Sequence, residues 1–262
     1  MNIGRIIDII NETDRIKTFI LDIDTKAIPG QFGMFWLPGV DQKPMSLSYT
    51  YGKMGVTILK LGHFSTKMHE LEIGARIGVK GPLGRGYKIK GDNILIVGGG
   101  VGNAPLAPLA ETALAAGKKV TAILGAQTSR EVLFEKRIKK AGAKVLVATD
   151  DGTAGHKGYT TDIMMEILKN ETFDQCFTCG PEIMMVKVLL QTKEKKIPAQ
   201  VSLHRYFKCG IGICGQCAMD NTGIRVCKEG PCFRDKEMDK TEEFGKYWRD
   251  GASTRLYFGA KK

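Results

Sequence analysis

The sequence predicts a multidomain β plus α/β protein: a six-stranded antiparallel barrel, a parallel-sheet α/β domain and a small C-terminal module. Three observations lead to this prediction. Close-spaced strand patterns fill the first ninety residues, a glycine-rich turn joins an apolar strand to a helix after residue 93, and five of the seven cysteines lie between Cys209 and Cys232. The predicted domain boundaries are 1–90, 91–199 and 200–262.

The first domain is predicted from six short segments that are rich in apolar residues and bounded by Gly, Pro or Asp. These predicted strands are 3–10, 15–24, 31–37, 45–50, 55–61 and 76–80, with one short helix at 66–71. Six strands at this spacing favour a small antiparallel barrel, and we expect Phe35 and Trp36 to lie in its core.

The second domain is predicted from strands that alternate with helices, the pattern of a parallel sheet with a nucleotide fold. The predicted strands are 94–97, 119–124, 144–148 and 173–178, and the predicted helices are 102–116, 130–141, 161–168 and 182–193. A further strand at 200–203 leads into the cysteine-rich part. That last part is too short to build much core of its own, so we expect a metal centre to stabilise it.

Composition and charge exclude several classes of protein. Hydrophobic residues make up 43% and charged residues 26% of the 262 residues, as in folded globular proteins. No apolar run is long enough for a membrane span, and the first residues are polar and acidic, so a cytoplasmic protein without a membrane partner is expected. The net charge is +11, but the positive residues fall in short mixed groups. We therefore expect a solvated basic surface and no nucleic-acid partner.

The cysteine spacing is the sharpest chemical signal. Cys209, Cys214 and Cys217 follow the C-x4-C-x2-C pattern of a plant-type [2Fe-2S] cluster, which needs one more cysteine downstream. On spacing alone, Cys227 and Cys232 both qualify as the fourth ligand. Three glycines within the loop, Gly210, Gly212 and Gly215, allow backbone N–H groups to approach the sulfides. The alternative is a zinc knuckle that uses Cys214, Cys217, Cys227 and Cys232.

The second signal is the glycine-rich turn from Gly98 to Leu106, between an apolar strand and a helix. Glycines there allow a pyrophosphate to approach the backbone, and the helix N-terminus offers free N–H donors. By itself this could be a tight strand-to-helix turn. The usual acidic residue about 20 positions further on is missing, which leaves NAD and NADP both open.

The third signal lies in the barrel, where Lys43 to Ser48 form one strand and Gly62 to Thr66 begin a short helix. In isolation the first segment reads as an edge strand. The order of the three signals along the chain gives them more weight, because it resembles the ferredoxin reductase superfamily. Members of that superfamily place FAD on a barrel, a nicotinamide dinucleotide on the following sheet and, in some cases, an iron–sulfur module after it.

Within this superfamily the chain resembles the electron transfer subunits of NAD-dependent dihydroorotate dehydrogenase type B. The resemblance rests on Gly81-Pro82-Leu83-Gly84, Thr149-Asp150-Asp151-Gly152, Cys179-Gly180-Pro181 and the cysteine loop followed by Val226-Cys227-Lys228-Glu229-Gly230-Pro231. It differs from relatives in having Lys43 where they usually have Arg, Cys232 where they usually have Val, and His204 where they usually have an acidic residue.

The resemblance implies a set of site residues and no catalytic acid or base. FAD would contact Lys43, Pro44, Met45, Ser46, Ser48, Gly62, Ser65 and Thr66. The nicotinamide dinucleotide would contact Gly100, Gly102, Asn103, Ala104 and Pro105, with Cys179 and Gly180 facing the nicotinamide. The cluster ligands would be Cys209, Cys214, Cys217 and Cys227, so the resemblance selects Cys227 over Cys232.

The resemblance also implies a function and a partner. The chain would pass electrons between FMN in a catalytic partner subunit, its own [2Fe-2S] cluster and FAD, and NAD, in a heterotetramer that oxidises dihydroorotate to orotate for pyrimidine synthesis. Ile211, Ile213 and the segment 234–262 would contact the partner, unless the two isoleucines pack inside the module. The alternatives are a flavin and [2Fe-2S] subunit of a hydrogenase or of a ferredoxin:NAD(P) oxidoreductase, and, in another class, a zinc-dependent interaction module.

Overall fold

A computed structural model describes residues 1–259 of the chain, which begins with a closed six-stranded barrel. Its strands are β1 (Asn2–Thr13), β2 (Ile16–Lys26), β3 (Phe32–Leu37), β4 (Asp41–Tyr49), β5 (Tyr51–Leu59) and β6 (Arg76–Leu83). They follow the order β1-β2-β5-β4-β3-β6, and each neighbouring pair is antiparallel. The predicted antiparallel barrel is confirmed.

Strand alternation decides which side chains fill the barrel. Phe19, Phe35 and Val56 are fully buried in its interior, and helix α1 (His63–His69) adds Phe64 to the same apolar cluster. The prediction that Trp36 shares this core is wrong, because consecutive strand residues point to opposite faces. Trp36 is 36% exposed and lies on the outside of the barrel.

The second part of the chain is a seven-stranded sheet flanked by helices on both faces. Its strands are β7 (Asn93–Gly99), β8 (Lys119–Ala126), β9 (Lys144–Thr149), β10 (His156–Lys157), β11 (Gln175–Cys179), β12 (Ala199–Ser202) and β13 (Cys232–Arg234). The order is β10-β9-β8-β7-β11-β12-β13, parallel except for the last pair. Helices α2 (Asn103–Ala115), α3 (Glu135–Lys140), α4 (Thr160–Ile167) and α5 (Glu182–Glu194) connect the parallel strands. The predicted parallel-sheet domain is confirmed.

The cysteine-rich part is joined to this sheet and packs against the barrel. Strand β13 pairs with β12, and Phe32 and Met34 of the barrel share an apolar cluster with Cys217 and Cys227. The remaining elements are α6 (Val226–Glu229), α7 (Asp235–Met238) and a hairpin of β14 (Tyr247–Arg249) and β15 (Arg255–Tyr257). The predicted domain boundary at 199/200 falls within strand β12, and the predicted domain boundaries stay predictions. Within residues 1–259, no helix has the length and apolar character of a membrane span.

One arginine connects the barrel to the α/β domain. Arg137 donates from Nη1 to the carbonyl oxygen of Ser48 on β4 at 2.8 Å, and from Nε and Nη2 to Glu111 on α2, both at 2.7 Å. Its guanidinium also lies 3.9 Å from the ring centre of Tyr49. A two-point arginine–carboxylate contact is geometrically specific. It therefore holds β4 and α2, which carry two of the three predicted sites, in a defined relative position.

Candidate functional site

A cleft of about 770 Å³ opens where the barrel, the sheet and the C-terminal part meet. Most of the residues predicted for FAD and the nicotinamide dinucleotide line this one cleft: Lys43, Pro44, Met45, Ser46, Gly62, Ser65, Gly100, Gly102, Ala104, Pro105, Cys179 and Gly180. Three predicted residues are not among those that line it: Ser48 and Asn103, which are buried, and Thr66, which is half-buried. The structure thus brings segments from two domains to one place, as a reaction between two bound cofactors requires.

On the barrel side, strand β4 presents Lys43 to Ser46 to the cleft. Lys43 pairs with Asp41 at 2.7 Å, and its ammonium lies 5.4 Å from the ring centre of Tyr206. Burial opposes the charged form of Lys43, but the contact with Asp41 outweighs burial and raises its pKa. Ser48 is fully buried and its hydroxyl accepts a hydrogen bond from Thr57 at 2.8 Å. Ser48 therefore supports the strand from behind.

At the start of α1, Ser65 organises the turn that faces the cleft. Its hydroxyl accepts hydrogen bonds from the backbone N–H groups of Leu61 and Gly62, both at 2.9 Å, and donates to the carbonyl of Gly62. The backbone N–H of Thr66 donates to the same carbonyl. These contacts fix the shape of the turn on which a pyrophosphate was predicted to lie.

The glycine-rich turn forms the opposite wall. A Cβ on Gly102 would lie 2.5 Å from the carbonyl oxygen of Cys179, so only glycine lets the turn pack against β11. Gly100 has a positive φ of 54°, and among residues 1–259 no atom lies within 4 Å of its Cβ position, which leaves its backbone open to the cleft. Behind it, Asn103 is fully buried, and neither its amide oxygen nor its amide nitrogen has a partner within the described part of the chain. An unpaired amide beside an open backbone fits a site that a polar ligand completes.

Cys179 lines the cleft with a protonated thiol. Burial raises its pKa to about 12, although a hydrogen bond with Ser202 acts in the opposite direction. Burial also raises the pKa of Cys176 on the same strand, and this side chain packs in the core. Protonated, buried thiols are poor nucleophiles. Neither thiol is therefore a ready nucleophile at neutral pH.

In and next to the cysteine loop, backbone N–H groups point at the sulfur atoms of the cysteines. Ile211 N–H donates to Cys209 Sγ at 3.5 Å, Gly212 N–H to Cys227 Sγ at 3.2 Å and Cys227 N–H to Cys217 Sγ at 3.4 Å. Burial of Cys209 raises its pKa, but backbone N–H groups of Cys214, Ile211 and Ile213 outweigh burial and lower it to about 6. A loop that stabilises thiolates in this way fits an iron–sulfur cluster.

The four cysteines lie in two contacting pairs. Cys209 interacts with Cys214 and Cys227 with Cys217, and among residues 1–259 no three His, Cys, Asp or Glu side chains converge on one metal position. A [2Fe-2S] cluster takes two thiolates on each of its two irons, which matches two pairs. Cys232 lies elsewhere: its thiol points to the carbonyl of Gly30 at 3.7 Å in the barrel interface.

The cleft and the cysteine loop share a wall. Phe32 and Phe207 line the cleft, their ring centres are 5.0 Å apart, and both belong to the apolar cluster that contains Cys217 and Cys227. Phe207 was not predicted as a site residue. The one sequence feature that points to it is its position two residues before Cys209, between β12 and the cysteine loop.

A buried ionic network beside the cleft was not predicted from the sequence. Arg205 is 4% exposed and donates to Glu182 at 2.7 Å and to Glu243, which are 8% and 2% exposed. Glu182 begins α5 directly after the predicted nicotinamide segment, and Glu243 comes from the C-terminal part. This network ties three distant segments together. Of the predicted partner surface, Ile213 is 80% exposed and Ile211 37%, and residues 260–262 lie outside the described part.

Two protein-family models match this chain. The "iron-sulfur cluster binding domain of dihydroorotate dehydrogenase B" matches residues 204–239, and the "oxidoreductase NAD-binding domain" matches residues 96–189. A protein of Methanocaldococcus jannaschii is 48% identical over 98% of both chains, and one of Methanocella arvoryzae is 48% identical over 95% of both. Each carries the name "probable dihydroorotate dehydrogenase B (NAD(+)), electron transfer subunit".

The chain belongs to the family of dihydroorotate dehydrogenase B electron transfer subunits. It is therefore an oxidoreductase subunit for electron transfer, and the predicted family and enzyme class are confirmed. The predicted cofactors, FAD, a [2Fe-2S] cluster and NAD, are confirmed by the two family models and by the flavin reductase-like fold. Which individual residues hold them stays a prediction.

Solved structures give a second comparison. A structure of the NADH-dependent reduced ferredoxin-NADP oxidoreductase, described in the context of flavin-based electron bifurcation, has a TM-score of 0.81 and 30% identity and covers 90% of both chains. The ferredoxin reductase of carbazole 1,9a-dioxygenase has a TM-score of 0.65 at 21% identity and covers 74% of this chain and 65% of its own. The second likeness shows the shared fold alone.

Proposed function

We propose that this chain transfers electrons between a catalytic partner subunit and NAD in the oxidation of dihydroorotate to orotate. Dihydroorotate would lose two electrons and two protons in the partner, and NAD⁺ would take up two electrons and one proton here. A bound flavin exchanges a hydride with nicotinamide and single electrons with an iron–sulfur cluster. The names of the relatives, which specify NAD(+) and an electron transfer subunit, support this assignment.

The observation that carries the proposal is the wall shared by the cleft and the cysteine loop. Phe32 and Phe207 line the cleft and pack in the same apolar cluster as Cys217 and Cys227 of the cysteine-rich part. On the cleft side, β4 and the glycine turn would hold the two dinucleotides face to face. On the loop side, backbone N–H groups would stabilise the cluster thiolates of Cys209, Cys214, Cys217 and Cys227.

The partner would approach the cysteine loop. Cys214 is exposed, and Ile211 and Ile213 stand beside it with exposed side chains. An electron has to leave near the cluster, so a subunit that carries FMN would cover this apolar rim. We propose that the complex is a heterotetramer of two such subunits and two catalytic subunits.

The test is reconstitution with the dihydroorotate-oxidising subunit. The isolated chain should contain about two irons and two sulfides, reduce artificial acceptors with NADH, and leave dihydroorotate untouched. Adding the partner should give dihydroorotate-dependent reduction of NAD⁺. Cys217→Ser should abolish that coupled reaction yet keep NADH oxidation by artificial acceptors at the flavin. Cys176→Ala, a buried thiol outside the loop, serves as the matched control and should keep both reactions. Dihydroorotate oxidation by the chain alone would contradict this division of labour.

The likeness to the ferredoxin-NADP oxidoreductase favours a second candidate. In that case the same cleft and loop would serve a ferredoxin-linked complex. Failure with every dihydroorotate-oxidising partner, together with reduction of ferredoxin by a nicotinamide dinucleotide, would select this candidate over the first.

A further inference from the structure

The C-terminal hairpin of β14 and β15 lies at the cleft. Strands β14 and β15 pair antiparallel, and Trp248 on β14 and Phe258 just after β15 line the same cleft as Lys43 and Gly100. This segment was predicted to contact the partner subunit, which stays a prediction. Its residues Trp248 and Phe258 also lie beside the residues predicted for the dinucleotides.

Several contacts hold the hairpin there. On its outer face, Asp220 accepts hydrogen bonds from Tyr247 at 2.6 Å, Arg249 at 2.8 Å and Arg255 at 3.0 Å. At its tip, Gly251 approaches the ring of Tyr206 so closely that a Cβ would lie 2.9 Å from it. These contacts hold the hairpin against Asp220 and Tyr206, beside the cleft.

The segment before the hairpin is tied to the nicotinamide side of the cleft. Gly245 N–H donates to Glu182 at 2.7 Å, and Glu243 is buried against Arg205. Glu182 follows Gly180 by two residues and Cys179 by three. The segment before the hairpin is therefore bonded directly to the start of α5, next to the predicted nicotinamide residues.

The two faces of the hairpin differ in what their aromatic rings contact. Tyr247 and Tyr257 pack against each other on the face opposite Trp248, with ring centres 5.2 Å apart and ring planes at 53°. In the described part of the chain, Trp248 and Phe258 take part in no ring–ring pair. Both side chains are half-buried and line the cleft, where a planar ligand could contact them.

We propose that Trp248 and Phe258 stack on a heteroaromatic ring of a dinucleotide bound in the cleft. The hairpin then forms part of the binding site. This inference rests on the proposed function, because it requires a dinucleotide in the cleft. FAD and NAD⁺ share the ring chemistry, and the experiment separates them.

The test uses Trp248 as its own reporter. The chain has two tryptophans, and Trp36 lies on the outside of the barrel away from the cleft, so a Trp36→Phe protein emits from Trp248 alone. Apoprotein is titrated with FAD in one arm, and FAD-loaded protein is titrated with NAD⁺ in the other. Saturable quenching of the emission is expected in the arm whose ring stacks on Trp248.

Affinity measurements on variants complete the test. Stacking contributes about 1 to 3 kcal/mol per ring by alanine substitution, so Trp248→Ala and Phe258→Ala should raise Kd for that dinucleotide about 5- to 150-fold. Trp248→Phe should retain most of the affinity. Tyr257→Ala, on the outer face of the same hairpin, is the matched control and should stay within about twofold of the parent protein.

The outcomes separate the inference from the proposed function. If the parent protein binds neither FAD nor NAD⁺, the proposed function fails. If the parent binds them and both cleft-facing variants bind equally well, or if Tyr257→Ala weakens binding as much as they do, the stacking contact is refuted. Circular dichroism of each variant shows that the fold is retained.

Discussion

Replacing Arg205 tests whether the buried ionic network holds the C-terminal part onto the cleft. Arg205 is 4% exposed, with Glu182 at 8% and Glu243 at 2%. Its guanidinium bonds both carboxylates and also donates to the carbonyl of His204 at 2.7 Å. Removing the charge in Arg205→Met leaves two carboxylates buried without a counter-charge.

The expected loss follows from that burial. Breaking a buried ion pair by removing one partner costs about 3 to 5 kcal/mol, because the remaining charge stays out of water. Urea unfolding followed by circular dichroism should show this loss. Amide hydrogen exchange at Gly245 and Asp220, whose N–H groups bond Glu182 and Glu243, should rise most. Neutralising the glutamates in Arg205→Met with Glu182→Gln and Glu243→Gln should recover part of the stability, since no unpaired charge remains.

The matched control is an exposed pair. Lys193 and Asp239 are 3.2 Å apart with side chains 71% and 58% exposed, so Lys193→Met should cost less than about 1 kcal/mol. If Arg205→Met lowers the free energy of unfolding no more than Lys193→Met does, the reasoning is refuted. The two carboxylates would then lose no stability when their buried counter-charge is removed.

Two further predictions concern the cluster loop and pH. Cys227→Ser should lose the visible absorbance and the iron of the cluster, whereas Cys232→Ser should keep both, because the sulfur of Cys227 on α6 accepts a hydrogen bond from the loop N–H of Gly212 and the sulfur of Cys232 lies against Gly30. Loss of iron in Cys232→Ser alone would show that the fourth ligand is misassigned. Hydrogen bonds from Arg249 and Tyr247 lower the pKa of Asp220 from 3.8 to about 2. Since the folded-state pKa is depressed, this carboxylate stabilises the hairpin fully above about pH 4 and progressively less as pH falls to about 2. Emission of Trp248 against pH should show that step, and Asp220→Asn should lack it; an identical step in Asp220→Asn would assign the change to another group.

The sequence by itself determined the features that depend on neighbouring residues. Alternating apolar segments gave the barrel strands, the βα repeat gave the parallel sheet, and the spacing of Cys209, Cys214 and Cys217 gave the cluster loop. These signals are local, because a strand, a helix turn or a cysteine loop requires particular residue types at short, regular intervals. Trp36 and its neighbour Phe35 were both predicted to lie in the core. Consecutive strand residues point to opposite faces, so Phe35 is buried in the barrel and Trp36 lies outside it.

Tertiary structure decided how the sites are joined. Arg205 meets Glu182 and Glu243 across 23 and 38 residues, and Phe32 meets Phe207 across most of the chain. Strand β13 completes the sheet, so the cysteine-rich part is not a separate layer. No short-range pattern marks such contacts, because they form only when packed layers bring distant segments together. The place of Trp248 beside the cleft is of the same kind: its sequence neighbours are charged and turn-forming, and only the folding back of the hairpin onto Tyr206 and Asp220 puts its ring where a dinucleotide could bind.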